Sequence, residues 1–355
     1  MKIGIVGGGI NGLSCAWKLS QMGHSVDLYE RDKLMKKTSQ SSSKLLHGGL
    51  RYLEHGEFRL VREALRERDA WLQRVPSLTK TLRLVMPVYS GSGRNRWIIG
   101  AGLLLYDHIA GRSVLPKSRW LPAEVLLEHD PGLAPNGLKG GFEFFDGQMD
   151  DYRLGLWVAE QARAAGGKLY EDAEVVSISN DGRINLQNGK CIDYDRVVNV
   201  CGPWAAQLLE SSGLPSPYRL DIVRGSHLVI DRVCTQACLL EVPNETRIIF
   251  MLPWKGKTLL GTTEIRQALN EPVRCSAREQ QYLLDIYNHY RISHISSEAI
   301  TEQFAGVRPL LSSVGDPGKA TREYAIHRDN NLINVFGGKW TTTLALAQEV
   351  TQRVQ

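Results

Sequence analysis

The chain has 355 residues, enough for two domains of ordinary size. Its 43 Lys and Arg against 38 Asp and Glu leave a net charge of +5, a mild excess that suits an anionic substrate or a membrane surface. No dense basic tract or aromatic–basic repeat points to nucleic acid, so none is expected as a partner. Cysteines at 15, 191, 201, 234, 238 and 275 form no C-x-x-C pair, which fits a reduced, cytoplasmic compartment. No apolar run reaches the ~20 residues of a spanning helix. A strand pattern follows Met1 directly, so no signal or transit peptide is expected.

The first element is a β-branched strand over Ile3 to Val6, followed by Gly7, Gly9 and Gly12 in G-x-G-x-x-G register. Gly7 permits a tight turn, Gly9 lets the backbone approach a pyrophosphate, and Gly12 allows the helix to pack closely on the strand. A bare triplet is weak evidence. Ala16, Leu19, Gly23 and Val26 strengthen it, because they fall where the helix must pack, turn and enter a second strand ending at Glu30. Glu30 lies 18 residues beyond Gly12, close to the ~20 expected of a carboxylate that binds an adenosine ribose. That carboxylate argues against a 2′-phosphate cofactor. The stretch SSSKLLHGGLRYLEHGEFRL at 41–60 is unlike the second half of a nicotinamide-binding unit and points to a flavin.

Farther along, Phe58, Val61, Leu65 and Leu72 mark an amphipathic helix. The run WIIGAGLLLYDHIAG at 97–111, flanked by Arg94, Arg96, Arg112, Lys117 and Arg119, reads either as a core helix or as a helix lying in a headgroup interface. Asp150 and Asp151 precede a helix that Gly166 and Gly167 stop, strands are expected around 169–178 and 196–201, and Gly202 and Trp204 open another helix. From about 218 to 310 the chain turns β-rich with one helix near 276–291, and at 332–338 LINVFGG returns to a buried strand before a terminal helix from about Trp340. The expected fold is therefore α/β (α+β overall), a Rossmann-like dinucleotide domain at 1–80, 140–215 and 325–355 with an interleaved antiparallel-sheet substrate domain at 81–139 and 216–324. No Cys/His/Asp/Glu cluster has metal-ligand spacing, and no metal is expected.

The fingerprint, the 41–60 stretch, GSHLVI at 225–230, LLGTTE at 259–264, AGVRPLL at 305–311, TREY at 321–324 and FGGKWTTT at 336–343 occur in order along nearly the whole chain. Together they resemble the FAD-dependent glycerol-3-phosphate dehydrogenases of the D-amino-acid-oxidase-like superfamily. The resemblance implies a two-domain flavoprotein that oxidises sn-glycerol 3-phosphate to dihydroxyacetone phosphate and passes electrons to a quinone or another acceptor. Longer members continue into a C-terminal helical domain, so this sequence is expected to be a short form. Trp340 stands where a smaller aliphatic residue is usual.

By that resemblance, Arg308, Arg322 and Lys339 would clamp a phosphate dianion through charge-assisted contacts. Arg51, Tyr52 and Thr262 would face the same substrate, and His227 would take the hydroxyl proton. Taken singly, such arginines are more often surface residues, and a lone histidine in a strand is as readily structural. FAD would be cradled by Gly7, Gly9, Asn11, Gly12, Glu30, Ser42, Ser43, Lys44, Leu46, His47, Gly48, Gly49, Val175, Gly202 and Trp204. Gly338, Lys339, Trp340, Thr341 and Thr342 would open the last helix towards the flavin ring. No cysteine occupies FGGKW, and the neighbours of His47 resemble those of noncovalent members, so noncovalent FAD is expected.

Two other readings stay open. One is an oxidase of an amine or a 2-hydroxy acid, whose carboxylate would use the same cations; three basic positions suit a dianion better. The other is a flavin-binding module without turnover. The resemblance also implies a cytoplasmic protein, peripheral on the inner face of the cytoplasmic membrane through 97–111. The electron acceptor and the oligomeric state are not legible.

Overall fold

The computed structural model describes residues 1–311 and 324–355. Its first 30 residues fold as β1 (Lys2–Val6), α1 (Ile10–Gln21) and β2 (Ser25–Tyr29). Ile3 and Ile5 alternate into the core, Leu13 and Leu19 meet them from α1, and all four are fully buried. Each such side chain stabilises the fold by about 1.5–3 kcal/mol. The helix lies this close because Gly12 carries no side chain: a Cβ there would sit 1.9 Å from the carbonyl oxygen of Gly7. Gly7 makes the turn at φ +114°, which an L side chain rarely adopts.

The chain continues through β3 (Leu45–Leu46), α2 (Phe58–Arg74), β4 (Thr79–Tyr89), α3 (Arg96–Ala110), β5 (Arg119–Pro122), α4 (Ala123–His129), β6 (Leu138–Met149) and α5 (Asp151–Ala164). Next come β7 (Lys168–Tyr170), β8 (Val175–Ile178), β9 (Arg183–Leu186), β10 (Cys191–Asp193), β11 (Arg196–Asn199) and α6 (Ala205–Ser211). After β12 (Leu220–Ile230), β13 (Ala237–Glu241), β14 (Ile248–Trp254), β15 (Lys257–Gly261) and β16 (Ile265–Arg266) there is one helix, α7 (Ala277–Tyr290). The last described elements are β17 (Ile300–Leu311), β18 (Tyr324–Asp329), β19 (Leu332–Gly337) and α8 (Thr343–Val354).

Among the described residues three sheets result. The six-stranded sheet has the order β18-β19-β11-β1-β2-β7 and is parallel except for β18. Its strands are covered by α1, α5 and α8, whose apolar faces join one core that includes Leu154, Val158, Leu346 and Val350. This is the Rossmann-like layer, and the end of the chain completes it. The ten-stranded sheet is antiparallel except where β13 runs beside β4. A three-stranded sheet, β10-β9-β8, stands apart.

Three details differ from the pattern expected along the chain. The stretch 169–178 is two strands rather than one, because Asp172 at φ +52° turns the chain between β7 and β8. Residues 140–149 hydrogen-bond into the ten-stranded sheet, because β6 pairs with β4 along almost its whole length. Helix α8 begins at Thr343 rather than Trp340, whose indole turns into the core instead. Gly12→Ala should force α1 off β1, and the purified protein should lose most of its bound dinucleotide, read from its absorbance ratio and thermal midpoint; wild-type values would show that the contact is slack.

Candidate active site

The parallel strands β1, β2, β11 and β19 end at one edge, and a cavity of about 640 Å³ opens there against the ten-stranded sheet, a size typical of small-ligand sites (~300–1,000 Å³). Its wall includes Gly7, Gly9, Asn11 and Glu30 from the fingerprint, Ser42, Ser43, His47 and Gly49 from the following loop, and Val175, Gly202 and Trp204. Gly338, Lys339, Trp340 and Thr341 close it from the C-terminal side. From the other sheet and its neighbours come Arg51, Tyr52, His227, Thr262 and Arg308. Residues from stretches far apart in the sequence are thus gathered on one surface.

Some expected residues lie elsewhere. Gly12 is behind the wall, packed on Gly7, and Leu46, Gly48 and Thr342 are also outside the lining. Gly48 donates its N–H to the Tyr106 hydroxyl at 2.9 Å, and that hydroxyl in turn bonds Asp146. Arg322 falls outside the described residues. Lys44 does not line the cavity either. It is buried at φ +61°, with Nζ 2.7 and 2.9 Å from the Asp151 carboxylate oxygens and 2.6 Å from the Gln40 carbonyl. The same carboxylate accepts from the Ser42 N–H and hydroxyl. Burial pushes Asp151 above its ordinary carboxylate value against the pull of Lys44 and Ser42. The loop is therefore tied down from behind, leaving Ser42 and Ser43 at the wall.

His227 is 3% exposed on β12 and stacks on Phe304, with ring centroids 4.8 Å apart. Its Nε2 shares a 2.9 Å hydrogen bond with the Ser43 hydroxyl, while Nδ1 has no partner among the described residues. Burial, then the positive charges of Lys44 and Arg308, lower its pKa to about 3, so the imidazole is neutral near pH 7. Lys339 Nζ lies 3.8 Å from the Tyr52 ring centroid, in cation–π range. Arg308 donates to the Thr263 carbonyl at 2.9 Å and lies 3.5 Å from Glu264.

Several residues in this arrangement carry no signal that a linear reading picks out. Arg247 and Glu264 line the cavity, and Glu264 lies 3.5 Å from both Arg247 and Arg308. Ser39 accepts from the Ile10 N–H at 3.0 Å and, through its carbonyl, from the Trp340 indole at 3.0 Å. The one clue available was Asp151, legible as a helix start but not as the partner of Lys44.

The site fits a flavin dinucleotide on its own terms. Gly9 faces the cavity at the N-terminus of α1, where unpaired N–H groups favour phosphate. Asn11 Oδ1 is buried at the wall with no donor among the described residues. Glu30 fixes its own turn, accepting from Gly8 at 2.6 Å and Asp32 at 3.1 Å, and keeps further lone pairs for a ribose. Among the described residues no group of His, Cys, Asp or Glu could hold a metal ion.

A parallel sheet with a glycine turn, a helix N-terminus and a long cavity at the strand ends defines a dinucleotide-binding protein. Known proteins narrow the class. Residues 2–353 match the family profile described as "FAD dependent oxidoreductase". The chain is 36% identical over 370 residues to the aerobic glycerol-3-phosphate dehydrogenase of Escherichia coli (strain K12), covering 99% of this chain and 72% of that one. It is 37% identical over 370 residues to the D-erythritol 1-phosphate dehydrogenase of Brucella abortus (strain 2308), covering 99% and 73%. The structure of the Bacillus halodurans glycerol-3-phosphate dehydrogenase complexed with FAD superposes with a TM-score of 0.79 at 24% identity, over 100% of this chain and 64% of that chain. The chain belongs to the FAD-dependent oxidoreductase family, among its glycerol-3-phosphate dehydrogenases, and its cofactor is FAD.

The burial of His227 sets a pH dependence. In the fold it stays neutral down to about pH 3, whereas its ordinary value is 6.5. Between those values the unfolded chain binds the extra proton, so stability falls as pH drops below 6.5. The acid-side loss of thermal stability between pH 7 and 5 should be shallower in His227→Gln than in the wild type; parallel curves would mean the ring protonates freely in the fold.

Proposed function

We propose that this protein oxidises sn-glycerol 3-phosphate to dihydroxyacetone phosphate. The observation that carries the reading is the meeting of Arg308, Lys339 and the neutral His227 on the lining of one cavity, which the fingerprint residues Gly7 and Gly9 also line. Arg308 and Lys339 hold the phosphate dianion, with Arg322 the third expected cation, and Arg51, Tyr52 and Thr262 face the polyol. FAD, held without a covalent bond, supplies a two-electron acceptor for the hydride leaving C2. His227 takes the C2 hydroxyl proton, and the Ser43 hydroxyl, 2.9 Å from Nε2, is within reach as a relay. Its low basicity stems partly from Arg308, so a dianion bound at Arg308 raises it when substrate is present.

The Brucella relative favours a second substrate of the same chemistry, a longer polyol phosphate with a secondary alcohol beside its phosphate-bearing end. The electrons leave to a quinone or another acceptor. Helix α3 supports a membrane contact for that step. Trp97, Ile98, Leu104 and Leu105 are exposed on it, at spacings that place them on one face, while Ile99, Leu103 and Tyr106 face inward. Exposed Arg96, Arg112, Lys117 and Arg119 flank that face, as in helices that lie in a headgroup interface. Among the described residues no helix is long and apolar enough to cross a membrane. A cytoplasmic protein, peripheral on the inner face of the membrane, is the location this surface favours.

Anaerobic rapid mixing of the holoenzyme with sn-glycerol 3-phosphate should bleach the flavin band quickly and saturably, with D-erythritol 1-phosphate as the second arm. Bleaching by glycine, sarcosine or 2-hydroxyglutarate instead would reassign the cations to a carboxylate. Arg308→Ala should weaken apparent substrate affinity about ten- to a hundred-fold, the loss of a charge-assisted contact of ~1.5–3 kcal/mol; unchanged saturation would remove Arg308 from the clamp. Leu104→Glu with Trp97→Glu should abolish cosedimentation with vesicles containing anionic lipid, and undiminished binding would place the contact elsewhere.

A further inference from the structure

Behind the substrate wall, Glu279 on α7 is 3% exposed yet sits at the centre of a dense set of hydrogen bonds. One oxygen, Oε2, does what a helix cap requires, accepting from the Ser276 N–H at 3.0 Å and the Ser276 hydroxyl at 2.7 Å. It also accepts from Arg224 at 2.8 Å. The other oxygen, Oε1, is turned away from the helix and accepts from the Ser226 hydroxyl at 2.8 Å and the Thr263 hydroxyl at 2.7 Å. Thr263 Oγ1 in turn accepts the Ser226 N–H at 2.9 Å. A cap alone has no use for these last three bonds.

Ser226 and Thr263 are each one residue from a group that faces the substrate. Ser226 precedes His227, and Thr263 follows Thr262 while its carbonyl holds Arg308 at 2.9 Å. The wall between them has no slack: a Cβ on Gly225 would lie 2.4 Å from Thr262 Oγ1 and 2.7 Å from Arg308 Nη2. We propose that Glu279 is a positioning residue for the oxidation, an anionic anchor that holds Ser226 and Thr263 so that His227 and Arg308 converge on one substrate. The inference rests on the reading of this wall as the substrate site. The carboxylate is suited to a fixed role: burial alone would raise its pKa, but bonds from Thr263, Ser276 and Ser226 bring it down to about 2, so it stays charged throughout the working pH range.

The test compares Glu279→Ala, Glu279→Gln and Ser276→Ala holoenzymes by anaerobic rapid mixing, recording the apparent substrate affinity and the limiting rate of flavin bleaching. Glu279→Ala should weaken affinity and slow the limiting rate, each about tenfold or more, with the FAD content and the substrate-free spectrum unchanged. Glu279→Gln, which can still accept from Ser226 and Thr263, should recover part of both. Ser276→Ala removes the cap and should lower only the thermal midpoint. Calorimetric titration with inorganic phosphate should show the same loss of affinity in Glu279→Ala, and this loss should nearly vanish in an Arg308→Ala background because the two substitutions act on one contact. Wild-type affinity and rate in Glu279→Ala or, if that variant does not fold, in Glu279→Gln, or additive effects with Arg308→Ala, would overturn the proposal. If wild-type flavin responds to a different substrate, the substrate reading fails on that result alone, and the same variants are compared with the substrate that works.

Discussion

The buried ion pair of Lys44 and Asp151 holds the two halves of this structure to a common geometry. Lys44 belongs to the loop that follows the dinucleotide fingerprint, and Asp151 opens α5 at the end of β6. Charges this far from water are stable only when paired and hydrogen-bonded, and losing either partner leaves a buried charge that costs about 3–5 kcal/mol. Here all the polar atoms are engaged: the carboxylate takes Lys44 and Ser42, and the ammonium also reaches Gln40. The Lys44 carbonyl accepts the Met149 N–H at 2.9 Å, which ties the loop to the ten-stranded sheet.

That pair reaches the chemistry through electrostatics as well as position. Lys44 Nζ lies 4.8 Å from the Phe304 ring centroid, and the His227 ring stacks on the same phenyl ring. The lysine charge helps keep the imidazole neutral. One residue therefore both shapes the cofactor loop and, beside burial, helps keep the proposed base unprotonated. Oxidation of an alcohol requires a proton acceptor that is empty when substrate arrives, and a desolvated histidine between fixed cations meets that requirement without any titration near pH 7.

The sequence conveyed the first sheet well, because its signals are local. Gly7, Gly12 and the alternating Ile3 and Ile5 announce a turn and a strand, and their geometry in the fold is the one their spacing implies. The β-rich middle was legible as antiparallel sheet but not in its strand order, since pairings such as Ala237 with Leu84 join residues far apart in the chain. In the site, His227, Arg308 and Lys339 were named from motifs, whereas Arg247, Glu264 and Ser39 were not, because their roles exist only once distant strands meet. Lys44 shows the opposite limit: it lies within a cofactor motif, yet its side chain points into the protein. Glu279 stands three residues after Ser276, a spacing that betrays a helix cap and conceals the bonds made by its second oxygen.

The strand order of the six-stranded sheet also has a temporal meaning. β1 pairs on one side with β2, made at once, and on the other with β11, while β11 needs β19. Thr343 then donates to the carbonyl of Ile10 and the hydroxyl of Ser14, joining the last helix to the first. During synthesis the open edge of β1 waits for β11, and the contact of the first helix with α8 waits until more than 300 further residues have been made. Such late, non-local closure slows folding and lengthens the exposure of apolar strands.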